Sequence, residues 1–392
     1  MTEVASDKEL KARVDQLILA QGRLDPLELL LAEGWLAYDD YERWRTGRAP
    51  DLQGQLQVKP DEAAALLEGA GAYARAQRLA PEPLEHRGWG ADDRSLRIGA
   101  HSGLTRGCAV AYAPPADRPQ LDLFQDSSGL LLEDEIRQAL VERRIQTARA
   151  ALTRLMARDP ANRHLRGFLR LIQGADEGEL PAPKSRLLDL ESIEPVARDL
   201  LGHRARDYLA PLWAAFAESL FGRGFDPRAP RLHASFGWAR AGHWQRVREA
   251  VESETQWRRL PLLVLRHAEA CWRTRRLAEA RRDWMRLCWE WPRELERAIG
   301  AARFPDPRLA DLWHQFGDAD LELDTEDFPA WLLLEDPGAA AKVPPSSAPP
   351  DETGETYRLL YRLVSGEGDI DLRRALYERH PELLELFLGH RA

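Results

Sequence analysis

Cysteine, lysine and long apolar runs are all scarce in this 392-residue chain, and each scarcity excludes something. Three cysteines, Cys108, Cys271 and Cys288, are too few and too scattered for a disulfide framework or a cysteine-rich zinc site. Scattered reduced thiols suit a cytoplasmic protein. The longest apolar stretches, Leu29-Leu30-Leu31 and Trp331 to Leu334, fall far short of the ~20 residues that span a bilayer, so no membrane association is expected. The first residues, MTEVASDKELKARVDQL, alternate in charge where a secretory leader needs an apolar stretch. Catalytic signatures are missing as well: no Walker A loop, no HExxH, no GxSxG and no GxGxxG after a strand. His203, His233, His243 and His267 are scattered, and no pair has ligand spacing with a carboxylate nearby. Neither a metal nor a cofactor is expected, and the chain reads as a non-enzyme.

Lysine supplies only five of the 55 basic residues, while Ala, Leu and Arg dominate. That bias is the mark of a GC-rich bacterial genome, so arginine clusters partly reflect codon usage. The net charge of −9 opposes generic nucleic-acid affinity. Hydrophobic residues at 44% and aromatics at 8% suffice for the cores of two or three packed units.

The order of helix signals predicts a mainly α fold: a helical bundle, then a stack of α-hairpins, with a small β/loop insertion near 83–126. Five segments are expected. Residues 1–82 form an N-terminal helical bundle, 83–126 a β/loop connector, 127–334 a helical-hairpin domain, 335–352 a Pro/Ala-rich linker and 353–392 a C-terminal helical hairpin. In the first segment Asp25-Pro26, with Glu28 beyond, opens a helix that stops at Gly34. Tyr41 and Trp44, three apart, are placed to close over Leu27, Leu30 and Leu31. A helix-turn-helix reading of residues 25–46 is opposed by Asp39, Asp40 and Glu42, which sit where phosphate would bind. In the connector, 95–98 and 108–112 suit strands. His101 and Cys108 supply the minimum for thiol chemistry, against the plainer reading of a buried cysteine beside a loop histidine. From Pro337 to Pro350 the Pro/Ala/Ser composition offers no core.

From residue 130 helical pairs begin. Ala148, Leu152, Leu155 and Pro160 share a spacing with Ala280, Trp284, Leu287 and Pro292. A small residue lets paired helices approach, a large one fills the groove, and proline opens the next helix. Between them Trp238, Gly242, Trp244, Val247 and Val251 match an aromatic, a turn glycine, a turn aromatic and a second-helix core, and Val247 precedes Ala280 by 33 residues. This pattern resembles the tetratricopeptide (TPR) repeat over 128–173 and 229–300. Ile136 stands where that family has a small residue, Arg259 replaces the proline of the middle unit, and 161–228 keeps no register. The resemblance implies an α-solenoid with concave partner-binding surfaces.

Eight of the 13 tryptophans lie between Trp238 and Trp313, and residues 221–300 carry 17 Arg against 10 acidic residues. Such tryptophans mostly fill helix seams. Trp257, Arg258, Arg259, Trp272, Arg273 and Trp289 are the candidates for a partner-binding groove. The expected function is a non-catalytic protein-binding scaffold or adaptor of a bacterial assembly, whose partner presents an acidic surface or peptide. The alternatives are a nucleic-acid-binding accessory protein using the basic 221–300 region, and an enzyme with a Cys/His site.

Overall fold

The computed structural model describes residues 7–90, 94–115, 127–175, 182–302, 304–319, 321, 323–336, 343–344, 354–366 and 370–389. The fold is mainly α, and the chain forms two compact units, Met1–His243 and Trp244–Ala392.

The first unit opens with α1 (Asp7–Gln21), α2 (Pro26–Ala32), α3 (Tyr38–Arg45) and α4 (Pro60–Ala76). Asp25 caps α2 by accepting the Leu27 N–H at 2.9 Å, and Pro26, which lacks a donor, takes the first helical position. Leu27, Leu30, Tyr41 and Trp44 are buried together. The expected connector is not separate from this core. Trp89, Ile98, Leu104 and Cys108 fill it from the other side, because four short helices alone leave their apolar faces uncovered.

The sheet is smaller and differently placed than the apolar runs predict. β1 (Ala80–Pro83) pairs antiparallel with β2 (Val110–Ala113). Residues 95–98 form no strand; Ser95 makes one isolated bridge to Arg87, and the Arg97 and Ile98 carbonyls accept from Leu52 and Gln53. Residues Ser102–Cys108 form a helix, α5, capped by His101, whose Nδ1 accepts the Leu104 N–H at 3.0 Å. Prolines are tolerated in β1 because Tyr112, opposite Pro81, turns both its N–H and its C=O to Leu24 on the other side of β2.

A second core follows, built by α6 (Ser127–Val141), α7 (Ile145–Arg158), α8 (Leu165–Gly174), α9 (Pro183–Leu201), α10 (Ala205–Ser219) and α11 (Ala234–Ala241). The stretch 161–228, without register in sequence, thus continues the stack. Gly237 of α11 sits so close to α10 that a Cβ there would lie 2.8 Å from that of Ala217. Phe221 lies beyond the end of α10 and is 94% exposed.

The second unit contains α12 (Trp244–Glu252), α13 (Pro261–Arg273), α14 (Leu277–Glu290), α15 (Pro292–Ala302), α16 (Pro307–Asp318), α17 (Phe328–Glu335), α18 (Glu355–Val364), α19 (Ile370–Arg379) and α20 (Pro381–Gly389). Here the expected 127–334 domain is corrected: its continuity ends at His243. Within the first unit α11 packs on α10, and within the second α12 packs on α13. The C-terminal helices belong to the second unit. Tyr357 of α18 sets its ring 5.3 Å from Trp289 and donates to the Val343 carbonyl at 2.6 Å. Val343 is itself buried, so the Pro/Ala-rich segment is anchored there. Residues 337–342 and 345–353 lie outside the described residues.

Two hairpins, α6/α7 and α13/α14, share one construction. Ala148, Leu152 and Leu155 recur 132 positions later as Ala280, Trp284 and Leu287, and all six are buried.

Candidate functional site

The Arg/Trp candidates do not form one groove. Arg258 and Arg259 lie in the 3-10 turn Trp257–Arg259 that precedes α13, whereas Trp272 and Arg273 close α13 at its far end. A 13-residue helix separates those ends by about 20 Å. Trp257 and Trp289 are 5% and 2% exposed, which removes them from any surface. Arg258 lies over the Trp257 ring, Arg273 pairs with Glu269 at 3.7 Å and covers Trp244, and Trp272 is half-buried against Trp284.

A different concavity is present in the first unit, where α9, α10 and α11 line a cleft of about 570 Å³. Arg198, His203, Arg206 and Arg240 rim it, and Leu209 and Trp213 contribute its apolar wall. Glu194, nearly buried, accepts from both Arg198 and Arg240, and the Arg240 guanidinium sits 5.2 Å from the Trp213 ring centre. Arg206 is held by Glu28 at 3.0 Å and lies over Tyr38. Burial, reinforced by Arg204, pushes His203 below its ordinary value, so arginine carries the positive charge. Guanidinium donors beside an apolar wall suit a carboxylate neighboured by an apolar side chain. The sequence hides this cleft because its three helices come from the stretch without register.

Polar chemistry is most concentrated inside the second unit. His267 and Cys271, one turn apart on α13, face Glu279 and Asp283, one turn apart on α14. His267 Nδ1 lies 2.5 Å from Asp283 Oδ2, and its Nε2 lies 3.2 Å from Glu252 Oε1. Cys271 Sγ is 3.6 Å from His267 Nδ1 and 3.7 Å from Glu279 Oε2. Trp257 packs over the imidazole at 4.3 Å. Burial opposes charge on His267, but the hydrogen bonds it donates to Asp283 and Glu252, with their negative charges, outweigh it and raise its pKa. Burial, with the Asp283 and Glu279 charges, pushes the Cys271 thiol up to about 12. The cluster contains a single histidine, so a search for histidine pairs with a carboxylate nearby passes over it. The available signal was H-x3-C on one helix followed by E-x3-D on the next.

His101 and Cys108, by contrast, stand at opposite ends of α5. His101 Nε2 meets Asp61 at 2.8 Å, and burial pushes the fully enclosed Cys108 thiol up to about 12, far from a thiolate nucleophile.

Among the described residues no helix is long and apolar enough to cross a membrane. The chain matches no protein family model, no curated protein and no solved structure.

Proposed function

We propose that the protein is a non-catalytic binding scaffold of a bacterial cytoplasmic assembly, and that its partner is a protein presenting an acidic segment with an apolar anchor. The observation that carries this reading is the α9–α11 cleft, where arginine side chains edge an apolar wall. Helical-hairpin stacks offer such concave surfaces, and the TPR-like spacing of α6/α7 and α13/α14 is in keeping with that architecture. Three free, buried cysteines accord with a reducing compartment. The test is a pull-down from a native lysate with and without nuclease. It compares the wild-type chain with Arg198→Glu/His203→Glu, a pair of exposed rim positions. A protein captured under both conditions by wild type and lost from the variant supports the reading. Capture that vanishes with nuclease moves the function to nucleic acid.

A further inference from the structure

We infer that His267, Cys271, Asp283 and Glu279 form a structural zinc site that clamps α13 to α14. The antiparallel hairpin sets the four residues in two facing levels, His267 opposite Asp283 and Cys271 opposite Glu279. The His267, Cys271 and Asp283 ligand atoms lie within 4.8 Å of one another. Zinc bonds of about 2.3 Å to sulfur and 2.0–2.1 Å to nitrogen or oxygen place tetrahedral ligand atoms roughly 3.3–3.6 Å apart. The Cys271–His267 separation of 3.6 Å and the Cys271–Glu279 separation of 3.7 Å already have that span. To close around a metal, the His267–Asp283 pair, now at 2.5 Å, must open, and Glu279, which reaches the sulfur but stands outside the three-residue group, must draw in toward His267 and Asp283.

Two further features single out this site. Metal-bound imidazoles commonly donate their second N–H to a carboxylate, which fixes the ring; Glu252 occupies that place on Nε2. Arg276 donates to Glu279 Oε1 at 3.0 Å and, more distantly, to Oε2 at 3.4 Å, and Oε2 is the oxygen turned toward the sulfur. The sister hairpin shows that its scaffold needs none of this. There Ala139 and Ala151 stand as buried methyl groups 132 positions before Cys271 and Asp283, and the place of His267 is taken by Glu135, which pairs with Arg154 across the hairpin.

The ligand set selects the metal. One thiolate, one imidazole and carboxylates suit Zn²⁺, and four protein ligands with no open position suit a structural rather than a catalytic role. The exchange balances. Both imidazole nitrogens face carboxylates, so the ring carries two protons; zinc displaces the Nδ1 proton and the Cys271 thiol proton, and both leave to solvent. One dication replaces two protons, and the local charge is unchanged.

The experiment uses the full-length chain, purified under reducing conditions, stripped with chelator and titrated with Zn²⁺ or Co²⁺ alone. One equivalent of Zn²⁺ should bind and raise the melting temperature. Co²⁺ should produce a thiolate-to-cobalt charge-transfer band together with tetrahedral visible bands. Cys271→Ser should lose the charge-transfer band, and Glu252→Gln should weaken binding about 10–100-fold. The wild-type spectrum reports sulfur ligation even where a variant fails to fold. A wild-type protein that takes up no stoichiometric Zn²⁺, or shows no sulfur band with Co²⁺, would overturn the inference. So would a band that persists in folded Cys271→Ser, since its sulfur would be Cys108 or Cys288.

Discussion

Arg143 and Arg275, 132 positions apart, hold the same left-handed backbone conformation at the turn of two separate hairpins, with φ of 61° and 62°. The next residue closes each turn with the same bond: Arg144 N–H to Ala139 O at 2.8 Å, and Arg276 N–H to Cys271 O at 2.7 Å. Glycine is the usual residue at such a helix end, because a Cβ is strained there. The two arginines tolerate the conformation for different reasons. Arg143 reaches Glu42 at 2.6 Å and the Asp207 carbonyl at 3.1 Å, and lies over Trp89. Among the described residues, Arg275 makes no side-chain hydrogen bond or ion pair.

Arg275→Gly should therefore leave stability unchanged or raise it by up to about 1 kcal/mol, as relief of strain offsets the added freedom of the unfolded chain. Arg143→Gly should cost about 2–3 kcal/mol, because a charged hydrogen-bond network is broken. Urea denaturation of the two variants checks the contrast; equal effects would mean that the Arg143 contacts contribute nothing.

The hairpin core was legible because three neighbouring signals agree: a small residue, a large one four later, and proline beyond the helix end. Ala280 is fully buried and Ala278 exposed, the phase that spacing predicts. Ala280→Leu should overpack the seam and cost about 1–3 kcal/mol, while Ala278→Leu should be tolerated. Other parts were illegible for physical reasons. Residues 102–108 contain two glycines in seven, so nothing in propensity marks them as helix. Ala80-Pro-Glu-Pro83 is a strand only because Tyr112 spends its backbone groups on Leu24. The His267 cluster depends on which α14 residue stands opposite which α13 residue, and that register is set by the turn at Arg275 rather than by any contiguous motif. Trp257 and Trp289 are not marked as buried by sequence, because a tryptophan near charged residues looks alike whether it faces solvent or a neighbouring helix.

Glu42 gives the first unit a defined acid sensitivity. Burial alone would raise its pKa, but the His243 hydrogen bond at 2.7 Å and the Arg143 charge outweigh it and hold the carboxyl below its ordinary 4.5. A carboxylate depressed on folding contributes fully above its unfolded pKa and loses that contribution as pH falls through the folded one. Glu42→Gln should cost about 2–3 kcal/mol at neutral pH. The gap to wild type should narrow as pH falls below 4.5. Denaturant midpoints measured across that window provide the check.

The C-terminal helices are expected to be integral to the second unit. Removing residues 337–392 would strip Tyr357 from Trp289, leaving a buried indole face in water. Such a truncation should bind a hydrophobic dye or precipitate. Tyr357→Phe is the milder probe: it leaves the buried Val343 carbonyl without its 2.6 Å donor and should cost about 1 kcal/mol. A truncated chain that stays folded and dye-free would show that Trp289 on α14 needs no cover from the C-terminal helices.

The two candidate surfaces make opposed predictions in one experiment. Arg258, Arg259 and Arg273 are exposed, but they stand at both ends of α13, and Arg273 already has Glu269 within 3.7 Å. A compact acidic segment cannot bridge about 20 Å of helix and still bury its anchor. Reversing all three to Glu should leave both the melting temperature and partner capture close to wild type. Arg198→Glu/His203→Glu alters the rim of a single cleft, and there one short segment meets both positions. That variant should lose the partner at only a modest loss of melting temperature: both side chains are exposed, and Arg240 still holds Glu194 when Arg198 is reversed. Salt separates the remaining possibility. Phosphate-backbone binding falls steeply with ionic strength and scales with the number of arginines engaged, so the α13 triple variant, losing three arginines against one, would weaken it more than the cleft variant does. Loss of capture in the triple variant alone would place the functional surface on the second unit and remove the cleft from consideration.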